Sequence, residues 1–94
     1  MRSSNIQSNV RMERVLKALA NRRRLAILKF LKDEKEAAVG EVADAIGLSL
    51  KATSKHLSLL AAVDIVEHEQ RSLQVFYRLG GTLSQPARSI VSLL

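Results

Sequence analysis

The sequence contains no cysteine among its 94 residues, and this absence removes several kinds of site at once. Without thiols, the chain forms no disulfide, holds no metal through thiolate ligands and uses no cysteine nucleophile. Aromatic residues are also scarce, at 3% of the sequence. Hydrophobic residues nevertheless make up 47%, so we expect a core built from aliphatic side chains.

Long apolar runs are missing too. No run approaches the roughly 20 residues that a helix needs to cross a bilayer, and the segment MRSSNIQSNV lacks the apolar core of a signal peptide. We therefore expect a cytoplasmic protein without a membrane segment. The length predicts a single domain over residues 9–94, preceded by a polar, disordered segment over residues 1–8.

Basic residues outnumber acidic ones by 15 to 9, which gives a formal net charge of +6. This excess favours an anionic partner. Nucleic acid, an acidic protein and an acidic membrane surface all fit the charge alone. The basic residues are spread over several segments instead of one amphipathic stripe, which disfavours the membrane surface.

The stretch VGEVADAIGLSLKATSKHLSLLAAVDIV has the pattern of two short helices joined by a tight turn. The first helix is predicted to end at Gly47, because glycine tolerates a left-handed backbone. Ser49 fits the N-cap of a second helix over about residues 50–63. The pair, over about residues 40–63, has the sequence pattern of a helix-turn-helix.

The second of these helices has two contrasting faces at about 100° per residue. One face is apolar and comprises Leu50, Thr53, Leu57 and Leu60. The opposite face is small, polar and basic, and comprises Lys51, Lys55, Ser58 and Ala62. No Asp or Glu occurs between Ser49 and Val63. This face predicts a DNA-reading surface, and an ordinary solvated face is the alternative interpretation.

Two further helices are predicted before this pair. Apolar spacing indicates one over about residues 9–20, and Asn21 caps another that runs to about Lys32. The arginines 22–24 at its start oppose the helix dipole. They either keep the helix start soluble or meet a phosphate or carboxylate, and Arg24 is best suited to an internal structural role. A charged connector then leads into a short strand over residues 37–39.

A β-hairpin is predicted after the helix pair, over about residues 65–79, because apolar and polar residues alternate along its second strand. Arg71 lies near its tip, where it would reach the DNA backbone or minor groove. A last helix is predicted over about residues 83–94, starting either with a Thr82 capping box or with Ser84 as cap. Its apolar end either folds back or is buried against a second copy. The whole is mainly α, a winged helix-turn-helix of about five helices and a two-stranded wing.

Three runs resemble the ArsR-type winged-helix regulators: LKALANRRRLAILKFL, VADAIGLSLKATSKHLSLL and IVEHEQRSLQVFYRL. They follow the family's element order from Leu16 to Leu79. The resemblance implies a homodimeric transcriptional repressor that binds double-stranded DNA. It also implies dimerisation through the first and last helices, with one recognition helix in each major groove and each wing on the adjacent backbone.

Carried over residue by residue, the resemblance assigns the DNA-reading stretch to Ser49, Lys51, Ala52, Thr53, Ser54, Lys55 and His56. Arg71 is added from the wing. Two of these residues have a second interpretation. Thr53 lies on the apolar side and is alternatively packed, and His56 is alternatively a packed or hydrogen-bonded structural histidine.

The metal-sensing members of the family carry a pair of cysteines just ahead of the helix-turn-helix, where this sequence has Ala38 and Gly40. Others use carboxylates and histidines on the last helix, and residues 82–94 contain none. His68 stands beside Glu67 and Glu69, but strand alternation puts it on the opposite face. We therefore expect no metal and no cofactor, and the sequence does not name an effector.

A DNA-binding regulator is the leading hypothesis for the function. The alternative is a winged-helix module that binds an acidic protein without reading a DNA sequence. No catalytic constellation or phosphate-binding loop is evident, so an enzyme is not expected. Repression is implied by the resemblance alone, because an activator would carry the same residues.

Overall fold

The computed structural model describes residues 3–94, with side chains from residue 6 onward, and this part of the chain forms five α-helices and three β-strands. In chain order the elements are α1 (Ser3–Leu19), α2 (Arg22–Glu34), β1 (Ala37–Ala38), α3 (Val39–Ile46), α4 (Leu50–Ala62), β2 (Val66–Arg71), β3 (Gln74–Leu79) and α5 (Gln85–Leu93). The predicted winged, mainly helical fold is confirmed. Within the described residues, none of these helices combines the length and apolar character needed to span a membrane.

α1 begins well before the predicted start. It runs from Ser3, so the disorder predicted for residues 1–8 is wrong from residue 3 onward, and the first two residues lie outside the described part. Ile6 and Val10 are four residues apart and continue the helical spacing of the later apolar residues, which explains the extension. Several apolar side chains on α1 are exposed in the single chain, at 45–57%: Ile6, Val10, Met12 and Leu16.

α2 begins at its predicted cap. The Asn21 side chain accepts hydrogen bonds from the backbone N–H groups of Arg23 and Arg24, at 2.9 and 3.1 Å. The helix continues to Glu34, so the first half of the predicted charged connector is helical. Charged side chains such as Lys and Glu are good helix formers, and polarity alone does not end a helix. Lys35, with φ of 74°, makes the break.

The sheet has three antiparallel strands in the order β1-β3-β2. His68 on β2 lies opposite Tyr77 on β3, and Ala37 on β1 lies opposite the same tyrosine from the other side. The predicted two-stranded wing is therefore corrected to a hairpin with a third, two-residue strand. The short strand expected at residues 37–39 provides it.

The core is aliphatic, as expected, and draws residues from all five helices and from β2. Each large aliphatic side chain that is fully buried stabilises the fold by about 1.5–3 kcal/mol relative to an exposed one. The largest fully buried side chains are Ile27, Leu28, Leu31, Val42, Thr53, Leu57, Leu60 and Ile65. α2, α3 and α4 supply all of these except Ile65, so the helix-turn-helix rests directly on the core.

The hairpin is fixed to the end of α4 by a close backbone approach. Asp64, just after α4, adopts the left-handed conformation, with φ of 60°. Gly80, at the base of the hairpin, donates its N–H to Ile65 O at 2.9 Å. A Cβ on Gly80 would lie 2.5 Å from the carbonyl oxygen of Asp64, so only glycine allows this contact. The angle between the hairpin and α4 is set by this junction.

α5 begins with Ser84 at the N-cap and Pro86 in the first turn, which is the second of the two predicted starts. Proline fits there because the first-turn N–H groups lack partners within the helix. α5 packs against α1 and α2. Ala87 and Val91 are buried, whereas Leu93 is 80% exposed. The apolar C-terminal end thus folds back on one side and stays exposed on the other.

Candidate nucleic-acid interface

The turn between α3 and α4 has the chemistry that the sequence predicted. Gly47 ends α3 in the left-handed conformation, with φ of 69°. Ser49 is the N-cap of α4, and its hydroxyl accepts a hydrogen bond from the Ala52 N–H at 3.1 Å. These two residues make the tight turn of a helix-turn-helix.

α4 separates a buried back from an exposed front. The back, which comprises Thr53, Leu57 and Leu60, has 0% exposure. The reading face, as we call the front, is exposed and comprises Lys51, Lys55, Ser58 and Ala62. This division fits the insertion of a helix into a DNA groove, because nothing on the reading face is needed for the core.

The burial of two residues of α4 bears on the predictions. Thr53 was assigned to the DNA-reading stretch with packing as the alternative, and its full burial favours the packed interpretation over a DNA contact. Its hydroxyl has no hydrogen-bond partner among the residues described. Leu50 was expected on the apolar face but is 59% exposed, because the first turn of α4 projects past the core.

All charged residues of the reading face are cations. Neither Lys51 nor Lys55 forms an ion pair within the described structure. The N-terminus of α4 adds unpaired backbone N–H groups and the positive end of the helix dipole. Ser49 is exposed beside it, and Ala52 and Ser54 are half-buried at the edges of the face. On this side, α4 offers an anion two cations and free backbone N–H groups, and the helix itself carries no carboxylate.

His56 lies at the edge of the buried side and contacts α2. Its Nδ1 is 3.3 Å from Nη1 of Arg24. Burial lowers the pKa of His56, and the positive charges of Arg24, Arg23 and Lys55 lower it further. The ring is therefore neutral at pH 7. This placement agrees with the hydrogen-bonded interpretation of His56, and a DNA contact by its outer edge stays a prediction.

Arg71, the predicted wing contact, is the last residue of β2 and is held by acidic side chains. Its guanidinium donates to both carboxylate oxygens of Glu36, at 2.7 and 2.6 Å. It also donates to Glu69 at 3.0 Å and stacks 4.8 Å from the centre of the Phe76 ring. A bidentate pair of this kind fixes the side chain against the sheet. The turn itself consists of Ser72 and Leu73, and Leu73 is 96% exposed.

A second arginine completes the group that we call the wing ion network: Glu36, Glu67, Glu69, Arg71 and Arg78. Arg78 donates to Glu67 at 2.8 Å and to Glu69 at 3.3 Å. Hydrogen bonds from Arg71 lower the pKa of the Glu36 and Glu69 carboxyls. For Glu67, the pKa is lowered first by the backbone N–H of Gly81 and then by Arg78. All three carboxylates are therefore charged at neutral pH.

A family model described as a helix-turn-helix domain matches residues 19–69. The transcriptional activator HlyU of Vibrio cholerae is 43% identical over 68 residues, which cover 72% of this chain and 62% of that protein. The chain thus spans less than two thirds of the length of this relative. The structure of reduced HlyU matches with a TM-score of 0.81 and 33% identity, and the match covers 99% of this chain and 94% of the other.

Two other solved structures point the same way. A homodimeric winged helix-turn-helix DNA-binding domain of Mycobacterium bovis, from a possible ArsR-family transcriptional regulator, matches with a TM-score of 0.84 and 31% identity, covering 99% of this chain and 82% of the other. The transcriptional repressor BigR of Xylella fastidiosa matches with a TM-score of 0.74 and 30% identity, covering 99% and 89%. The chain belongs to the ArsR family. Its members are winged-helix regulators of transcription.

Ala38 and Gly40 stand where the resemblance placed a pair of metal-sensing cysteines, and neither side chain offers a metal ligand. Ala38 is buried in β1 and forms the N-cap of α3. Across the described residues, no group of three or more His, Cys, Asp or Glu is placed to hold a metal ion. The His68 ring lies 5.5 Å from the Tyr77 ring, while Glu67 turns to the arginines on the other face of the sheet.

Two contacts in this ArsR-family fold were missed by sequence reasoning. Arg24 was predicted to be internal, but its contact with His56 was not foreseen, and neither was the pairing of Arg71 with Glu36. Each contact joins residues more than 30 positions apart, so no local pattern signals it. The pair of Glu69 and Arg71 did have a signal, because residues two apart on a strand share a face.

Proposed function

We propose that this chain is a homodimeric, sequence-specific DNA-binding regulator of transcription, with α4 as the recognition helix. The observation that carries the proposal is the reading face of α4, which is exposed and cationic and lies opposite a fully buried back. α4 is 13 residues long, or about 20 Å, and enters a major groove without rearrangement of the core.

The residues of α4 divide into two roles. Lys51 and Lys55 are proposed to contact guanine acceptors or phosphates in the major groove. Ser49 and Ser54, together with the free N–H groups of the first turn, are proposed to hold a backbone phosphate and so fix the position of the helix. Ala52 allows close approach. His56 and Arg71 are proposed as supporting contacts at the edge of the site.

The surface of the single chain supports a dimer. The chain exposes 6318 Å², whereas a compact monomer of its mass exposes about 5,400 Å². Its radius of gyration is 13.8 Å, against about 12.4 Å for a compact domain of this length. Part of the excess surface is apolar and lies on α1 and on the end of α5, where Leu16 is 45% and Leu93 80% exposed. Pairing through these helices would place two copies of α4 on successive turns of one DNA face, about 34 Å apart.

The direction of regulation is proposed as repression, through occupation of promoter DNA. The family alone does not fix the direction, since HlyU is named an activator and BigR a repressor.

The test is selection of duplexes from a random library, followed by fluorescence-anisotropy binding to the selected duplex and to a scrambled one across a salt series. We expect binding to the selected duplex at least a hundredfold tighter than to the scrambled one, with a steep loss of affinity as salt rises. Equal, weak binding to both duplexes would contradict the proposal and favour the alternative, a module for an acidic protein partner.

The dimer is tested separately by Leu93→Glu, which places a charge on the exposed apolar end of α5. We expect sedimentation to show a weaker dimer, because the carboxylate would be buried in the interface. Leu73→Glu makes the same change at the exposed wing turn and should leave the dimer intact. Equal dimer affinity for the two variants would place the interface elsewhere.

A further inference from the structure

Arg24 stands at the junction of three helices. It belongs to α2, and its Nε donates to Ala18 O at 2.6 Å while its Nη2 donates to Lys17 O at 3.2 Å. Both carbonyls are in the last turn of α1. Nη1 lies 3.3 Å from Nδ1 of His56, in the middle of α4. One side chain therefore ties the end of α1 to the recognition helix.

The chemistry of the three groups fixes which of them donate and which accept hydrogen bonds in this link. The last carbonyls of a helix have no partner within it, and an arginine fork satisfies two of them at once. A guanidinium has donors only, so Nδ1 of His56 must be the acceptor and must carry no proton. The half-buried His56 ring meets this condition in its neutral form with the proton on Nε2, and its lowered pKa favours the neutral form. Neither lysine nor glutamine offers three divergent donors from one rigid plane.

We propose that Arg24 is a positioning residue for DNA recognition, which carries the orientation of the dimer helix α1 to α4 and so sets the spacing of the two recognition helices. This inference rests on the proposed function, because it takes α1 as a dimer helix and α4 as the reader. His56 is the residue of α4 that accepts the hydrogen bond from Arg24, and it follows directly after Lys55 of the reading face.

DNA binding is sensitive to small changes in the orientation of α4, so the contacts of one side chain can have a measurable effect. A tilt of about 10° around the centre of a helix as long as α4 moves each end by about 2 Å. This is about half of the rise per base pair, about 3.4 Å. In a dimer the two tilts are related by symmetry, so a loosely held α4 broadens the range of half-site distances that the dimer accepts.

The positive charge of Arg24 alone does not account for its proposed effect on spacing. The neighbouring arginine provides a control for charge. Arg23 precedes Arg24 on α2 and carries the same charge, but its side chain is exposed. Replacing either arginine with glutamine removes one positive charge from the same turn of the same helix. Only Arg24→Gln also breaks the link between α1 and α4.

The experiment uses the selected duplex with the distance between half-sites changed by −1, 0 and +1 base pairs. We expect the wild-type chain to prefer one spacing by about tenfold or more, since a base pair shifts the half-sites by about 3.4 Å and about 34°. Arg23→Gln should lower affinity for all three duplexes by the same factor. Arg24→Gln should reduce the preference to about threefold or less, a change at the lower end of the coupling between residues in contact.

His56 supplies an independent arm in case Arg24→Gln impairs folding. His56→Ala removes only the acceptor and leaves the bonds of Arg24 to α1 in place. We expect it to flatten the spacing preference too, while His56→Asn, whose amide oxygen lies near the position of Nδ1, restores the preference. Dimer state and thermal unfolding of each variant are measured alongside.

The possible outcomes distinguish failure of the positioning role of Arg24 from failure of the proposed DNA-binding function. A wild-type spacing preference that persists in His56→Ala would overturn the inference and leave the proposed function standing. A uniform loss of affinity in His56→Ala, with the preference intact, would make His56 a direct DNA contact and would equally overturn it. Failure of the wild-type chain to distinguish any duplex would reject the proposed function itself and the inference with it.

Discussion

The reading face of α4 and the wing both carry two cations, yet they differ in the neighbours of those cations. Lys51 and Lys55 face solvent with no carboxylate on their helix. Arg71 and Arg78 are enclosed by three glutamates within the wing ion network. A net charge of +6 therefore says little about where a phosphate would bind. Available charge depends on which cations already have partners.

The two surfaces also differ in what a phosphate has to displace. At α4 it displaces water from freely rotating ammonium groups and gains the N-terminal end of a helix. At the wing it competes with the Glu36 carboxylate, which already holds Arg71 through two hydrogen bonds. We therefore expect α4 to dominate DNA affinity, with the wing contributing mainly through its shape and its turn.

The largest expected effect is on the reading face. Lys51→Ala combined with Lys55→Ala should lower affinity for the selected duplex by about a hundredfold or more and reduce the salt slope by about two. The loss follows from removing two cations that have no other partner. Anisotropy across a salt series measures both quantities.

The matched control removes two lysines that already have carboxylate partners. Lys17 pairs with Glu13 at 3.7 Å and Lys29 with Asp33 at 2.7 Å, and all four side chains are exposed. Lys17→Ala with Lys29→Ala changes the net charge equally and should cost much less affinity. If both double variants lose the same affinity, net charge rather than the reading face governs binding.

The next effect concerns the back of α4. Thr53→Val should raise the free energy of unfolding by about 1 kcal/mol, because the buried hydroxyl has no partner in the described structure and valine has the same shape. DNA affinity should not change, since the back does not face the groove. Urea unfolding measures the stability. A loss of stability would mean that the hydroxyl is satisfied, for instance by an internal water.

A smaller effect is expected in the wing. Glu36→Gln removes the charged bidentate partner of Arg71 and leaves Glu69 as its carboxylate partner, so DNA binding should strengthen by about threefold at low salt as the arginine reaches a phosphate. Glu34→Gln makes the same charge change two residues earlier, outside the wing ion network. Equal gains from the two variants would show a general charge effect, and a further Arg71→Ala substitution should cancel the gain of Glu36→Gln alone.

The smallest expected effect is on the pH dependence of the free energy of unfolding, which distinguishes α4 from the wing. Burial lowers the pKa of His56 from 6.5, so the folded state binds a proton less readily than the unfolded state. The free energy of unfolding should therefore fall as the pH drops below about 6.5. The pKa values of Glu36, Glu67 and Glu69 are lowered from 4.5, so their stabilisation is complete above about 4.5 and is lost only below it.

Urea unfolding at steps from pH 8 to pH 4 distinguishes these two losses. His56→Asn should remove the decrease that begins near pH 6.5 and leave the decrease below pH 4.5 unchanged. A decrease near pH 6.5 that survives in His56→Asn would contradict the assignment of this loss to His56.

Features fixed by neighbours in sequence were predicted well. Asn21, Gly47 and Ser49 were placed correctly because capping and left-handed turns depend on a few consecutive residues. The division of α4 into two faces was also predictable, apart from Leu50, since helical periodicity carries that information.

The remaining features depend on contacts between segments that are distant in the sequence, and local sequence patterns do not predict such contacts. Periodicity placed Thr53 on the apolar side but did not say whether the core reaches it. The partners of Arg71 and Arg24 lie 35 and 32 residues away. The third strand adds only two residues to the sheet, and such a short segment pairs only when the hairpin is already in place.

The separation of the two faces of α4 has a consequence for how such a regulator acquires new targets. In the proposed role of α4, its exposed positions contribute nothing to the core, so we expect amino-acid replacements there to change the preferred DNA sequence at little cost in stability. Choice of DNA sequence and stability of the fold would then depend on separate sets of residues. Retargeting by exchange of three or four side chains is accessible both to evolution and to the protein engineer.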